Sequence, residues 1–219
     1  MARLLRNQLI NRLQDKQLTK MASRYAHGRM VDIGCGEKQY EDMFKPFVTE
    51  HVGVDHEDTQ HSSSKVDIVS SGYEVPVPDA SFDTVLYTGV LEHMEDPERA
   101  LRECARVLKP GGNMVFLIPF IWHVHEAPRD FYRYTPIGMR YLLERSGFEL
   151  RELVPVCGFW GTFGQLFTYK LHKYKLLKTL GVTDKLGLAV QGAAYLLDRA
   201  DFDDEWAALY VGAAARVAA

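Results

Sequence analysis

The stretch Val31-Asp32-Ile33-Gly34-Cys35-Gly36 constrains this chain more than any other. An apolar run carries an acid, and a Gly-x-Gly turn follows at once. Glycine has no Cβ and tolerates positive φ, so such a turn brings backbone close to a bound ligand. The next apolar run, His51-Val52-Gly53-Val54, ends at Asp55. That spacing suits a carboxylate that accepts hydrogen bonds from a ribose. The pair predicts a nucleoside-containing cofactor at the edge of a parallel sheet.

Strand and helix signals alternate around this turn. Strands are expected over 29–33, 51–54, 66–69, 82–87, 114–118 and 148–156, the third reached through a loop holding Ser62, Ser63 and Ser64. A short helix is expected near 40–44. Asp96 and Pro97 read as N-cap and first helical residue, and Pro110-Gly111-Gly112 as the stop. Thr135-Pro136 opens another helix, closed at Gly147. Alternation at this spacing predicts an α/β fold with a doubly wound, mostly parallel sheet. Ahead of it, 1–28 is expected to form an N-terminal helix. Leu5, Leu9, Leu13, Leu18, Met21, Ala22 and Tyr25 recur at helical spacing within 3–25, with a basic remainder. That helix packs on the sheet with its basic face in water, covers the cofactor site or meets an anionic partner. The strand signal vanishes over 158–206 and returns in 208–213. A helical insertion is therefore expected before the last strand, with one helix around 163–178 and another over 188–199. Residues 1–219 are read as one domain.

A net charge of −3 gives no global electrostatic case for nucleic-acid binding. Three scattered cysteines (Cys35, Cys104, Cys157) suit neither a disulfide framework nor a zinc site and point to a reducing, cytoplasmic setting. No run of about 18 apolar residues predicts a spanning helix. The basic N-terminus superficially resembles a transit peptide, but its cleavage would remove a helix the fold needs.

Five blocks in register resemble the class I S-adenosylmethionine-dependent methyltransferases, specifically the methyltransferase type 11 group. They are Val31–Gly36, Val52–Asp55, Pro76–Val85, Val90-Leu91-Glu92-His93 and Arg106–Gly112. The resemblance implies a Rossmann-like seven-stranded sheet with the last strand antiparallel, and S-adenosylmethionine as cofactor. A dinucleotide fingerprint would need a third glycine where Gln39 stands. The resemblance places Gly34, Cys35 and Gly36 beneath the methionine portion and adenosine. It gives Asp32 the ammonium, directly or through water, and Asp55, followed by His56, the ribose hydroxyls. Thr88 and Gly89 would face the methionine moiety, with His93 close behind as contact or packing residue. Two positions depart from the pattern. Lys38 stands where a third small residue is common, and Ser71 where an acid commonly binds the adenine amino group; nearby Asp67 is a candidate substitute.

The acceptor side is expected in 119–135, after a strand end, where open α/β sheets place substrates. His125 is the candidate general base or substrate contact, oriented by Glu126. Arg129 and Arg133 are candidates to hold a carboxylate or phosphate. The competing reading has Asp130 and Arg133 tie the loop down while Tyr132 and Tyr134 pack. His123-x-His125-Glu126 lacks a third spaced ligand, so no metal is expected. His-Glu-x-Pro-x-Asp-Phe-x-Arg-Tyr resembles a subgroup associated with cell-surface glycan and secondary-metabolite gene products. The expected function is O-methylation of a small molecule or sugar with the loop histidine as base. Alternatives are C- or N-methylation of a quinone, lipid or natural product, and a non-catalytic cofactor-binding partner module. The 158–206 segment is expected to be a cover, a homodimer interface or, through basic residues in 163–185, a peripheral membrane surface.

Overall fold

Four of the five residues of β1 (Arg29–Ile33) are buried, as an apolar strand between two helical layers requires. The computed structural model describes residues 5–57 and 64–217, so Ser62 and Ser63 of the expected loop lie outside the described residues. The other strands are β2 (Glu50–Asp55), β3 (Ile68–Val69), β4 (Phe82–Thr88), β5 (Leu108–Pro119), β6 (Phe148–Pro155) and β7 (Leu209–Arg216). They form one sheet in the order β3-β2-β1-β4-β5-β7-β6. β7 runs antiparallel to β5 and β6, and the other pairings are parallel. Strand order reverses between β1 and β4, so their carboxyl ends open a crevice between them.

Successive strand residues feed opposite layers. Val31, Val85 and Phe116 pack with α3 (Pro97–Val107) and α4 (Pro136–Arg145). Met30, Leu86 and Val115 pack with α1 (Gln8–Tyr25) and α2 (Glu41–Phe44). The Asp96 carboxylate accepts the Arg99 N–H and Pro97 sits in the first turn of α3. Thr135 accepts the Gly138 N–H to start α4, and Gly147 follows the helix at φ +85°. On α1, buried Leu18, Met21 and Ala22 face the sheet, while Lys20 and Arg24 pair with Glu152 of β6 at 2.6 and 2.5 Å. The basic face is thus partly neutralised by the sheet it covers.

Several boundaries differ from the sequence expectation. α1 begins at Gln8, after a 3-10 turn at Leu5–Asn7. β5 begins at Leu108, because Leu108 already pairs with Phe82 of β4. Pro110-Gly111-Gly112 therefore lies inside an irregular strand start, and the helix has already ended at Val107.

Three helices separate β6 from β7: α5 (Phe159–Leu171), α6 (Lys175–Thr179) and α7 (Thr183–Ala200). The last begins earlier than its apolar periodicity suggested. α5 and α7 cross at Gly164, where a Cβ would lie 2.5 Å from that of Ala194. Gln165 donates to the Arg6 carbonyl, and Gln191 accepts the Leu9 N–H and donates to the Leu5 carbonyl. The bond from Leu9 satisfies one of the N–H groups that the first turn of α1 leaves open.

Candidate active site

The glycine turn is held from two sides. Gly34 adopts φ +76°, and a Cβ there would lie 2.3 Å from a Val90 methyl. Gly36 adopts φ +48° and donates its N–H to Asp55 Oδ2 at 2.8 Å. The His56 N–H donates to Asp55 Oδ1 at 2.8 Å. An ionised carboxylate oxygen has two acceptor sites, so each Asp55 oxygen keeps one beyond the turn. Cys35 is buried, and burial, helped by Asp32 and Asp55, pushes its thiol up to about 12. It is a neutral packing group. Asp32 is 3% exposed and lies 3.1 Å from His51 Nε2. Burial raises its pKa, with His51 opposing the rise.

Both departures from the family pattern have a structural answer. The Lys38 stem is buried over Gly53, and its ammonium donates to Asp67 at 2.6 Å and to the His51 carbonyl at 2.9 Å. Lysine thus turns away from the glycine turn. Asp67 also accepts the Gly53 N–H at 2.7 Å, so its carboxylate is committed to Lys38 and β2. Ser71 is exposed, and its hydroxyl accepts only a long 3.4 Å bond from the Tyr73 N–H.

The segment after β5 folds back onto the segment after β4. Phe131 and Tyr132 N–H both donate to the Glu92 carbonyl, and Tyr134 OH donates to that of Leu91. Arg133 fixes the loop from within. It makes a bidentate pair with Asp130 at 2.6 and 2.8 Å and donates to the Trp122, Tyr132 and His123 carbonyls. The Arg133 guanidinium holds Asp130 well below the usual carboxylate range.

The two segments bring Glu92, His93 and His125 together. Glu92 Oε1 lies 3.8 Å from His125 Nε2 and 4.0 Å from His93 Nε2. The His93 and His125 rings meet edge to face at 4.9 Å. Asp130 Oδ2 accepts the His125 backbone N–H at 2.9 Å and lies 3.5 Å from His125 Nδ1. Burial pushes Glu92 up to about 8 and lowers the His125 pKa. Residues 88–93 connect this cluster to the glycine turn. Val90 packs on Gly34, while Gly89, at φ +65°, leaves only 3.8 Å between a Cβ position and Glu92 Oε1.

A family model described as "Methyltransferase domain" matches residues 31–116, the stretch that holds both the turn and the Glu92-His93 segment. Over that stretch, less than half of its length, the chain is similar to a methyltransferase domain. A Mycolicibacterium smegmatis relative named "Probable S-adenosylmethionine-dependent methyltransferase" is 33% identical over 147 residues, 64% of this chain and 55% of the relative. A Stutzerimonas stutzeri "Ubiquinone biosynthesis O-methyltransferase" is 26% identical over 127 residues, 53% of this chain and 52% of its own length. The chain spans about half the length of the curated relatives it matches. The crystal structure of an S-adenosylmethionine dependent methyltransferase from Mesorhizobium loti shares the fold at TM-score 0.61 and 17% identity, covering 93% of this chain and 98% of that one.

Asp32, Gly34, Cys35, Gly36, Asp55 and His56 gather at the β1 and β2 ends, while Thr88 ends β4. His93 sits in the acceptor cluster instead, donating from Nδ1 to the Arg129 carbonyl at 2.5 Å. Glu126 does not orient His125; it lies 3.7 Å from His93 Nε2, and Asp130 takes the orienting place. Arg133 is consumed by Asp130 and three carbonyls, so its guanidinium is not an anion clamp. The Arg129 side chain is exposed. Sequence reasoning did not place Glu92 in this cluster, and it read Asp130 only as a tie between the loop and Arg133. Glu92 stood inside a matched block, and a carboxylate between apolar Leu91 and His93 was its only signal.

Proposed function

We propose that this chain is a methyltransferase that transfers the methyl group of S-adenosylmethionine to an oxygen of a small polar acceptor, with His125 removing the acceptor's proton. The observation that carries the reading is the 88–93 segment, which packs Val90 on Gly34 and places Glu92 and His93 beside His125. Gly34, Gly36 and Asp55 fit the donor, since the turn admits close approach and Asp55 retains acceptor capacity for ribose hydroxyls. Asp32 takes the ammonium and Gly89 borders the methionine end. Bound S-adenosylmethionine supplies a methyl group already activated by its sulfonium. The remaining work is orientation, exclusion of water and proton removal. His125 Nε2 faces the cluster, while Asp130, tethered by Arg133, holds the other side of the ring.

Oxygen is favoured over carbon or nitrogen by the imidazole poised to take a hydroxyl proton and by the named O-methyltransferase relatives. Methyl transfer from labelled S-adenosylmethionine, screened across sugar nucleotides, phenols and lipid extracts, tests the reading. The expected product carries its label in an ether that wild type forms and His125→Ala does not. Label in an amine or a carbon-bound methyl sinks it.

The helical segment extends this reading to the origin of the acceptor. Tyr169 of α5 packs on His123 and Trp122, with ring centroids at 4.3 and 5.7 Å. Exposed Phe163, Phe167, Leu176 and Leu180 share 163–185 with exposed Lys170, Lys173, Lys175 and Lys185. That mixture suits an anionic bilayer surface; among the described residues no helix is long and apolar enough to cross one. Flotation with anionic vesicles is expected, and is lost in a Lys170/Lys173/Lys185→Ala variant. Equal flotation of both proteins, or none of either, removes the membrane contact.

A further inference from the structure

We infer that Glu92, His93 and His125 form a divalent transition-metal site of the zinc class beside the methyl donor. Among the described residues they are the one set of three His, Cys, Asp or Glu side chains whose ligand atoms all lie within 4.8 Å of one another. The sequence missed the set because only His125 belongs to the acceptor loop. The ligands that His123-x-His125-Glu126 lacked come from the turn after β4.

The protonation pattern is that of ligands. The Arg129 carbonyl can only accept, so His93 Nδ1 carries the proton and Nε2 presents a lone pair. Asp130 Oδ2 accepts the His125 backbone N–H and lies 3.5 Å from Nδ1, which leaves His125 Nε2 on the side of Glu92. A carboxylate or carbonyl behind each ligating imidazole is the usual outer support of a metal site. Glu92 is 2% exposed, yet among the described residues its Oε2 has no hydrogen-bond partner, and neither have His93 Nε2 and His125 Nδ1. Buried polar atoms without partners are costly, and a cation held by His93 Nε2 and both oxygens of the Glu92 carboxylate would relieve two of them.

The spacing is slightly loose. Ligands about 2.1 Å from a tetrahedral zinc ion lie roughly 3.4 Å apart. Here the pairs to Glu92 Oε1 are 3.8 and 4.0 Å and every pair lies within 4.8 Å, so side-chain shifts of up to about an ångström close the site. Two imidazoles and one carboxylate are the donor set of catalytic zinc, which leaves a fourth position for water or an acceptor oxygen. An acceptor hydroxyl bound there ionises near neutral pH, its proton passing to solvent and its electron pair staying on oxygen. The inference rests on the preceding reading only in placing the acceptor here. Ion and free imidazole are alternative means of removing one proton.

The test uses the full chain, stripped with chelator and titrated with Co²⁺ and then Zn²⁺, following d–d absorption and heat. One Co²⁺ per chain, displaced by one Zn²⁺, is expected. Glu92→Gln and His93→Ala should each weaken binding at least about 10-fold, and Asp130→Asn about 10-fold through the outer support. His123→Ala should leave binding unchanged, and melting curves confirm that each variant is folded. Unchanged cobalt affinity in folded Glu92→Gln and His93→Ala, or no stoichiometric binding by wild type, overturns the site. If cobalt fails to bind while His125→Ala still abolishes turnover, the cation falls and the imidazole base stands. If cobalt binds as expected and no acceptor is methylated, the cation stands and the acceptor reading falls.

Discussion

Glu92 Oε1 and His125 Nε2 lie 3.8 Å apart although α3 and β5 separate them along the chain. The contact exists because β4 and β5 are parallel neighbours, so the segments leaving them meet at the same end of the sheet. One partner adjoins Val90, which packs on the glycine turn, and the other belongs to the acceptor loop. The glycine turn and the Glu92–His125 cluster therefore share a short piece of backbone.

His125→Ala is expected to lower kcat by about 10²- to 10⁴-fold, the usual range for a lost proton acceptor. Affinity for S-adenosylhomocysteine, measured by calorimetry, should stay within about twofold, since His125 lies outside the donor residues. A variant with full turnover removes His125 from the chemistry.

Asp55 holds the glycine turn, and in the proposed reading its remaining acceptor sites take the ribose hydroxyls. Losing charged hydrogen bonds worth about 1.5–3 kcal/mol should weaken S-adenosylhomocysteine binding by roughly 10- to 100-fold in Asp55→Ala. Equal affinity of mutant and wild type contradicts the ribose assignment.

Arg133→Ala strands a buried carboxylate. Asp130 has 3% of its side chain exposed and loses a bidentate partner together with the loop's tie to three carbonyls. Breaking a buried pair from one side costs about 3–5 kcal/mol. Urea unfolding should show a loss near the lower figure, because Arg133 itself is partly exposed; a loss below about 0.5 kcal/mol argues that the loop does not depend on this pair.

Gly53→Ala tests the Lys38 arrangement. The added Cβ would lie 2.5 Å from Lys38 Cε, 2.7 Å from Cys35 Sγ and 3.0 Å from the Lys65 carbonyl. The expected cost is about 1–3 kcal/mol. The double variant Gly53→Ala/Lys38→Ala should recover part of it, and no recovery means that backbone at Lys65 decides the effect.

Asp32 predicts a pH dependence of stability in the ligand-free chain. Burial raises its folded pKa, so folding favours the protonated form. That contribution is full below the unfolded value of about 3.9 and is lost as pH rises through the raised folded value. Asp32→Asn should therefore melt higher than wild type at pH 7, with the gap closing toward pH 4, while binding S-adenosylhomocysteine more weakly. A gap independent of pH would show that the carboxylate charge is not responsible.

Much of the donor half was legible because its determinants are local. The turn Gly34-Cys35-Gly36 needs positive φ at two positions, and Asp55 ends the adjacent strand in register with β1. Caps such as Asp96 and Thr135 act within one helical turn, so they too show in the sequence. The start of β5 did not, because Leu108 is recruited by pairing with Phe82 across the sheet. Glu126 looked like the partner of His125 because it is adjacent in sequence, yet the fold of the loop gives that place to Asp130.

By itself the amino-acid sequence determined the alternation of strands and helices, the glycine turn and the likeness to a methyltransferase domain, all of which rest on residues close together along the chain. Only the tertiary structure decided that Lys38 is spent on Asp67, that Arg133 is spent on Asp130, and that Glu92 and His93 join His125. Those outcomes depend on which side chains meet once the ends of parallel strands converge and burial strips their water. Periodicity and spacing carry no record of that encounter.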